Sequence, residues 1–195
     1  MNKDYWKSSA EKLRSVKYLA LMAVFIGIKT VLSGVFIPVS DNLRISVSFL
    51  VTTLEAFIIG PAAGIVSGAL TDILGYMLFP TGPFFFGYTI TAMSSMLVYA
   101  LFFYRRQISV LKIIGAKATV NYLINVLMGS LWSAMMYGKA YLYYMTKSLV
   151  KNSVLLPVEI IMIIIVFNLM IPFLEKRKLV LPQNTHPIPL RITKN

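Results

Sequence analysis

The chain has 195 residues, of which 57% are hydrophobic and 13% charged, and it carries a formal net charge of +12. An ordinary soluble domain has about 25% charged residues, so this chain holds roughly half the charge that a water-facing surface needs. Its cations lie in clusters between apolar runs rather than on one solvated face, which excludes a soluble domain and a nucleic-acid binder. With no cysteine, disulfides, thiol nucleophiles and iron–sulfur ligation are excluded as well.

The chain opens on a polar segment, residues 1–17, which lacks the apolar stretch of a cleavable signal. Six apolar stretches follow: Tyr18–Pro38, Ile45–Gly60, Ala62–Phe79, Phe84–Tyr104, Ile113–Tyr137 and Leu149–Leu174. A span needs about 20 apolar residues, at ~1.5 Å each across a core of ~30 Å. Because backbone groups in lipid must pair internally, the expectation is an all-α bundle of six transmembrane helices over residues 18–174. The second stretch is short, and Gly60–Pro61 turns the chain tightly into the third. Residues 175–195, with Pro182, Pro187 and Pro189, are expected to form a disordered tail.

Cation placement sets the orientation. An inside N-terminus puts Lys3, Lys7, Lys12, Arg14, Lys17, Arg105, Arg106, Lys112, Lys117, Lys176, Arg177, Lys178, Arg191 and Lys194 on the inner side. The outer side then holds Arg44, Lys139, Lys147 and Lys151, a positive-inside bias that makes both termini cytoplasmic.

Lys29, Glu55, Asp72 and Glu159 stand inside apolar spans. Each costs about 2.5–3.5 kcal/mol on insertion scales, so such residues face a bundle interior or a wet cavity. From the helical rise, Lys29 and Glu55 lie about 15 Å below the outer ends of their spans, and Asp72 and Glu159 about 10–15 Å. A shared cavity and a set of structural pairs both satisfy that depth: Lys29 with a carboxylate as an ion pair, the acids as hydrogen-bond partners of neighbouring helices. His186 falls in the tail and has no assigned role, and no metal-ligand set is present within the spans.

The outer loop from Phe79 to Tyr88 combines Pro80, Gly82 and Pro83 with Phe84, Phe85, Phe86 and Tyr88. It reads either as an interfacial aromatic belt or as a stacking wall for a planar heterocycle. Tyr137, Tyr141, Tyr143 and Tyr144 crowd a second outer loop with the same alternatives. Ala20, Ala23 and Gly27 share one face of the first span, where small residues admit a close helix neighbour. That neighbour is either part of this fold or a separate membrane subunit.

Several of these residues also occur in a recognisable order. Ile45–Phe49, Gly60–Pro61–Ala62–Ala63–Gly64, Gly68, Asp72, Gly75, the loop Phe79–Gly87 with Thr89 and Thr91–Ala92, and Lys151–Asn152 followed by Leu156–Pro157–Val158–Glu159 resemble the folate-specific S component of energy-coupling factor (ECF) importers. The likeness runs from about Tyr18 to Leu174, and the Pro-x-Gly-Pro-Phe-Phe loop together with the Lys-Asn pair is its most specific part. It implies a six-helix vitamin-binding subunit without enzymatic activity or cofactor, working with a membrane coupling subunit and two cytoplasmic ATPases in the cell membrane. On that resemblance the ligand-binding candidates are Lys29, Asp72, Tyr76, Phe84, Phe85, Tyr88, Lys151, Asn152 and Glu159, and the partner-docking candidates are Ala20, Ala23 and Gly27.

The chemistry of a pterin fits these residue types. Asn152 can both donate to and accept from its amide-like edge, Asp72 or Glu159 can take its donors, and Lys151 or Lys29 can meet its carbonyl or the glutamate tail. The chain has no Gly-x-x-x-x-Gly-Lys-Ser/Thr phosphate loop, so uptake energy must come from a partner. The alternatives are an S component for another vitamin such as thiamin or pantothenate, an intramembrane enzyme using Asp72 and Glu159 as acid and base, and a structural membrane subunit.

Overall fold

The computed structural model describes residues 3–34, 36–40, 43–80, 82–184 and 186–190. Thr81 of the aromatic loop and the cations Arg191 and Lys194 lie outside the described residues, as does the side chain of Arg44. Nearly all of the rest is helix, in the order α1 (Lys3–Lys12), α2 (Val16–Ser33), β1 (Phe36–Ser40), β2 (Leu43–Ser46), α3 (Ser48–Ile59), α4 (Pro61–Leu78), α5 (Phe86–Phe103), α6 (Val110–Thr119), a π-helix (Val120–Met128), α7 (Gly129–Tyr137) and α8 (Tyr141–Lys176).

Five helical segments are long and apolar enough to cross a bilayer: Val16–Ser33, Pro61–Leu78, Phe86–Phe103, the continuous run Val110–Tyr137, and Tyr141–Lys176. The expected second span is different. Its helix, α3, has 12 residues, about 18 Å at ~1.5 Å each, well short of a ~30 Å core. The preceding residues pair instead as an antiparallel hairpin, with Ile37 opposite Ile45 and Pro38 opposite Arg44. Pro38 has no N–H to give a helix, and Leu-Arg-Ile-Ser alternates with the period of a strand. Strand pairing satisfies this backbone where a helix cannot. The hairpin also shortens the first helix, which ends at Ser33 rather than Pro38.

Gly60 makes the α3–α4 turn at φ 82°, and a Cβ there would meet the Tyr104 ring at 2.8 Å. Only glycine fits both constraints. Pro61 then occupies the first turn of α4, where its missing N–H costs nothing. Small residues on α4 let α5 come close: a Cβ on Gly68 would sit 3.0 Å from the Ala92 carbonyl oxygen. The core joins α3, α5 and α8 through Phe57, Tyr99, Phe103 and Phe167, with Phe103 edge-on to Phe167 at 5.2 Å between ring centroids.

α8 is much longer than the expected Leu149–Leu174. Its 36 residues span about 54 Å, so Tyr141, Tyr143, Tyr144, Lys147 and Lys151 sit on a helix rather than in a loop. Along it, Leu155, Glu159, Ile163, Phe167 and Ile171 are buried while Val154, Val158, Ile161, Ile165 and Leu169 are exposed. A helix apolar on both its buried and exposed faces is one that meets lipid.

The two ends of the chain close the basic end of the bundle. Ser9 Oγ on α1 donates to the Ile59 carbonyl at 2.9 Å and accepts from the Ala63 N–H at 3.2 Å, clasping the α3–α4 turn. The tail, expected to be disordered, is tied down as far as Leu190. The carbonyls of Pro189 and Leu190 accept from the Val110 and Leu111 N–H groups at 3.0 and 3.2 Å, and Gln183 bonds Ile108 and Glu175. The physical reason is that the first turn of α6 has free N–H groups, and the tail carbonyls satisfy them. His186 Nε2 lies 3.3 Å from Glu175 Oε2.

Candidate functional site

At the opposite end from the clasp lies a cavity of about 1290 Å³. α8 contributes Tyr143, Tyr144, Lys147, Lys151, Asn152 and Glu159, α5 contributes Tyr88, Thr91, Ser95 and Tyr99, and α3 contributes Phe49 and Thr52. A smaller cavity of about 690 Å³ adjoins it, lined by Lys29, Asp72, Tyr76, Phe84, Phe85 and Tyr88 among others. Ser48, Thr52, Tyr88 and Ser95 line both. The nine side chains singled out from the sequence therefore gather around two compartments that share one wall.

The polar core of the larger cavity is a hydrogen-bonded chain. Lys117 Nζ pairs with Glu159 Oε1 at 3.2 Å, and Asn121 Nδ2 donates to Glu159 Oε2 at 2.8 Å. Asn125 Nδ2 lies 3.4 Å from both Asn121 Oδ1 and Asn152 Oδ1, and Asn152 Nδ2 donates to the Ser148 carbonyl at 2.8 Å. Lys117 also sits 4.1 Å from the centre of the Phe49 ring. In an apolar interior each member is held by its neighbours, since an unpaired polar group is costly there.

Lys117 is a correction. Counted among the inner-side cations, it is buried on α6 at 2% exposure and faces Glu159. Asn121 and Asn125 were missed altogether. Both belong to the π-helix, and both amides reach α8, Asn121 at Glu159 and Asn125 at Asn152. Two asparagines in an apolar span were the signal in the sequence; which way they face was not. Tyr99 and Ser130 also line this cavity, and their buried hydroxyls have no hydrogen-bond partner among the described residues.

The smaller cavity has one tied carboxylate in its wall, Asp72, and a second, Glu55, buried behind Lys29. Lys29 pairs with Glu55, and Ser67 Oγ donates to Glu55 while accepting from Lys29 Nζ at 3.2 Å. The Lys29 ammonium is thus committed within the fold. Asp72 Oδ2 accepts from Thr89 Oγ1 at 2.7 Å, linking α4 to α5. Tyr76 OH donates to the Gly82 carbonyl at 2.9 Å, and its ring meets Phe84 at 5.1 Å. Phe85 packs between Tyr88 and Trp132, at 6.2 and 5.7 Å. Gly87 permits this, because a Cβ there would meet Trp132 at 2.6 Å. Phe86, by contrast, is exposed at 61%.

Ala20, Ala23 and Gly27 are exposed on α2, and a Cβ on Gly27 would meet nothing within 4 Å. No helix of this chain uses that face among the described residues.

A lipid-facing helical bundle with a polar and aromatic cavity at one end defines a ligand-binding membrane subunit. The family model described as "ECF transporter, substrate-specific component" matches residues 17–173. The folate transporter FolT of Clostridium novyi (strain NT) is 28% identical over 151 residues, covering 77% of this chain and 88% of that protein. FolT of Leuconostoc mesenteroides subsp. mesenteroides is 28% identical over 150 residues, covering 74% and 80%. The crystal structure of FolT bound with folic acid superposes with a TM-score of 0.70 at 30% identity, covering 76% of this chain and 91% of that one. The chain belongs to the family of substrate-specific components of ECF transporters, and is a multi-pass protein of the bacterial cell membrane.

Proposed function

We propose that this chain captures folate outside the cell and delivers it inward as the binding subunit of an ATP-driven importer, with no turnover of its own. The observation that carries this is a large aromatic-walled cavity lined by Lys117, Asn152 and Glu159, with Asn121 buried behind them and bonded to both Glu159 and Asn152. It stands in a fold that superposes on a structure holding folic acid.

The larger cavity suits both chemical parts of such a ligand. The free hydroxyls of Tyr99 and Ser130, with Asn152 and Asn125, offer a pterin edge donors and acceptors at the deep end. Tyr88 and Phe49 offer flat faces for stacking. Lys147 and Lys151 stand on the exposed side of the same cavity, where a glutamate carboxylate would meet them. Lys29 and Asp72 serve the site as fixed walls, since their heads are already paired. The exposed Ala20–Ala23–Gly27 face is the docking surface for the coupling subunit.

Folate titration of purified protein tests this. Stoichiometric quenching is expected from Trp132, which packs on Phe85 and donates to Thr91 Oγ1 of the cavity wall at 3.1 Å. Trp132→Phe should abolish the signal and Trp6→Phe should not, because Trp6 lies on α1 at the other end. Asn121→Leu should weaken binding by about ten-fold or more, as it leaves Glu159 short of a partner. Tight binding of thiamin or pantothenate in place of folate would move the chain to another vitamin, and wild-type affinity in Asn121→Leu would dismiss the proposed polar chain.

A further inference from the structure

A third cavity, of about 300 Å³, lies at the basic end of the bundle, away from the ligand cavities. Its walls are Ser8 and Lys12 of α1, Tyr104 and Arg105 after α5, and Lys178 after α8, over a floor of Phe57, Leu179, Val180 and Leu181. Three cations and two hydroxyls face one space, and no carboxylate is among its lining residues.

The backbone makes the convergence deliberate. Arg105 and Lys178 have φ of 53° and 54°, and are the non-glycine residues with positive φ among those described. Each stands directly after the C-cap of its helix, a left-handed position that glycine ordinarily fills without strain. A cation there could be explained as a partner for the helix dipole. Backbone N–H groups already serve these ends, however. Tyr104 and Arg106 donate to Ala100 and Phe103, and Arg177, Lys178 and Leu179 donate to Phe173, Glu175 and Leu174. The Arg105 guanidinium donates to Ser8 Oγ at 3.2 Å, and the Lys178 ammonium is in no hydrogen bond or ion pair among the described residues. Lys12 donates to the Ile58 carbonyl and lies 4.5 Å from the Tyr104 ring centre. Like charges held at the edge of an apolar pocket call for an anion with an apolar body.

We infer that this pocket binds a phosphate-bearing anion, gripped by Arg105 and Lys178, and that its occupant is the headgroup of an anionic phospholipid of the adjoining leaflet. The lipid is favoured over a soluble phosphate for two reasons. α5 and α8 are both membrane-spanning and end at this pocket, which places it at the bilayer boundary. Its floor is apolar, as the glycerol and upper acyl carbons require. Lys12 supports the grip from beneath and is still charged at neutral pH, although burial and then the Arg105 guanidinium push its pKa down to about 8.

The test measures phospholipid binding to the full chain in detergent by native mass spectrometry. Phosphatidylglycerol should bind saturably at one copy and phosphatidylcholine far more weakly. Each cation near an anionic lipid surface is worth about five-fold in affinity, so R105G/K178G should weaken phosphatidylglycerol by roughly 30-fold. Glycine suits both backbone positions, so this variant keeps the fold, which its thermal midpoint and ligand titration verify. The exposed pair K7Q/R14Q should cost markedly less. Equal loss in K7Q/R14Q, equal binding of phosphatidylcholine, or undiminished binding in R105G/K178G would each overturn the site. Inorganic phosphate binding wild type as tightly as the lipid does, and lost in R105G/K178G, would overturn the lipid as occupant.

Discussion

Lys29 and Glu55 share a buried contact in which Ser67 holds both. Removing one partner from such a pair leaves a charge in a place that cannot solvate it, at a cost of about 3–5 kcal/mol, whereas replacing both with apolar groups is often neutral. Lys29→Met or Glu55→Met alone should therefore lower the thermal midpoint sharply, and the double replacement should recover most of it. If the single variants were as stable as wild type, the pair would have no structural role and Lys29 would return as a ligand contact. The presence of these two charges was visible from composition along the span. Their pairing was one of two readings, because residues 26 apart in sequence meet only when α2 and α3 pack. Lys117 shows the reverse case. It stands near the basic end of a span and was grouped with solvated cations, yet the rotation of α6 turns it inward to Glu159.

The helical elements differ in how they are held. α1 is polar and makes its attachments through side chains: Ser9 to the α3–α4 turn, Tyr5 OH to the Ala100 carbonyl at 2.7 Å, and Lys12 to Ile58. Burial pushes the Tyr5 hydroxyl up to about 12, so it stays a donor throughout the accessible range. Lys12 titrates near 8 when docked and near the ordinary 10.5 when released, so the released helix binds more protons between those values. By linkage, α1 should hold more tightly as pH rises from about 8 to about 10.5, with no contribution from this group to the pH dependence below that window. Hydrogen exchange of the α1 amides, corrected for the intrinsic rate, would show this. Lys12→Met should flatten the trend, and weaker attachment toward pH 10 would contradict it. The π-helix is the element that the sequence conceals, since apolar periodicity reports a span without reporting a local change in residues per turn. The hairpin before α3 was partly legible in Pro38 and the alternation of Leu43–Ser46, but the apolar run beside it read as helix.

For the whole molecule, the absence of native cysteine makes single-cysteine labelling a clean test of orientation. Lys147→Cys should react with an impermeant maleimide in intact cells and Lys7→Cys only after lysis; the opposite pattern would invert the topology. Docking can be separated from binding at the outward face of α2. Gly27→Leu points into open space, so it should leave folate titration unchanged while reducing uptake by about ten-fold or more, since small residues at such faces set how near two helices come. Equal loss of binding and uptake would mean that Gly27 serves the fold instead.

Two apolar-pattern facts were enough for the class of protein: runs long enough to span, and cations gathered on one side of them. They depend on local composition and on the bilayer as solvent, and need no contacts to be read. The ordered motifs from Ile45 to Glu159 added the family in the same way. What only the tertiary structure decided is which polar groups meet. Helix rotation, the π-turn at Asn121 and Asn125, and the packing of α6 against α8 convert scattered polar residues into one lined cavity. Packing of α1 and the ends of α5 and α8 likewise brings Arg105 and Lys178, 73 positions apart, to a single pocket at the other end. Periodicity can place a residue on a helix, but the face it presents, and the residue it faces, follow from how the helices pack.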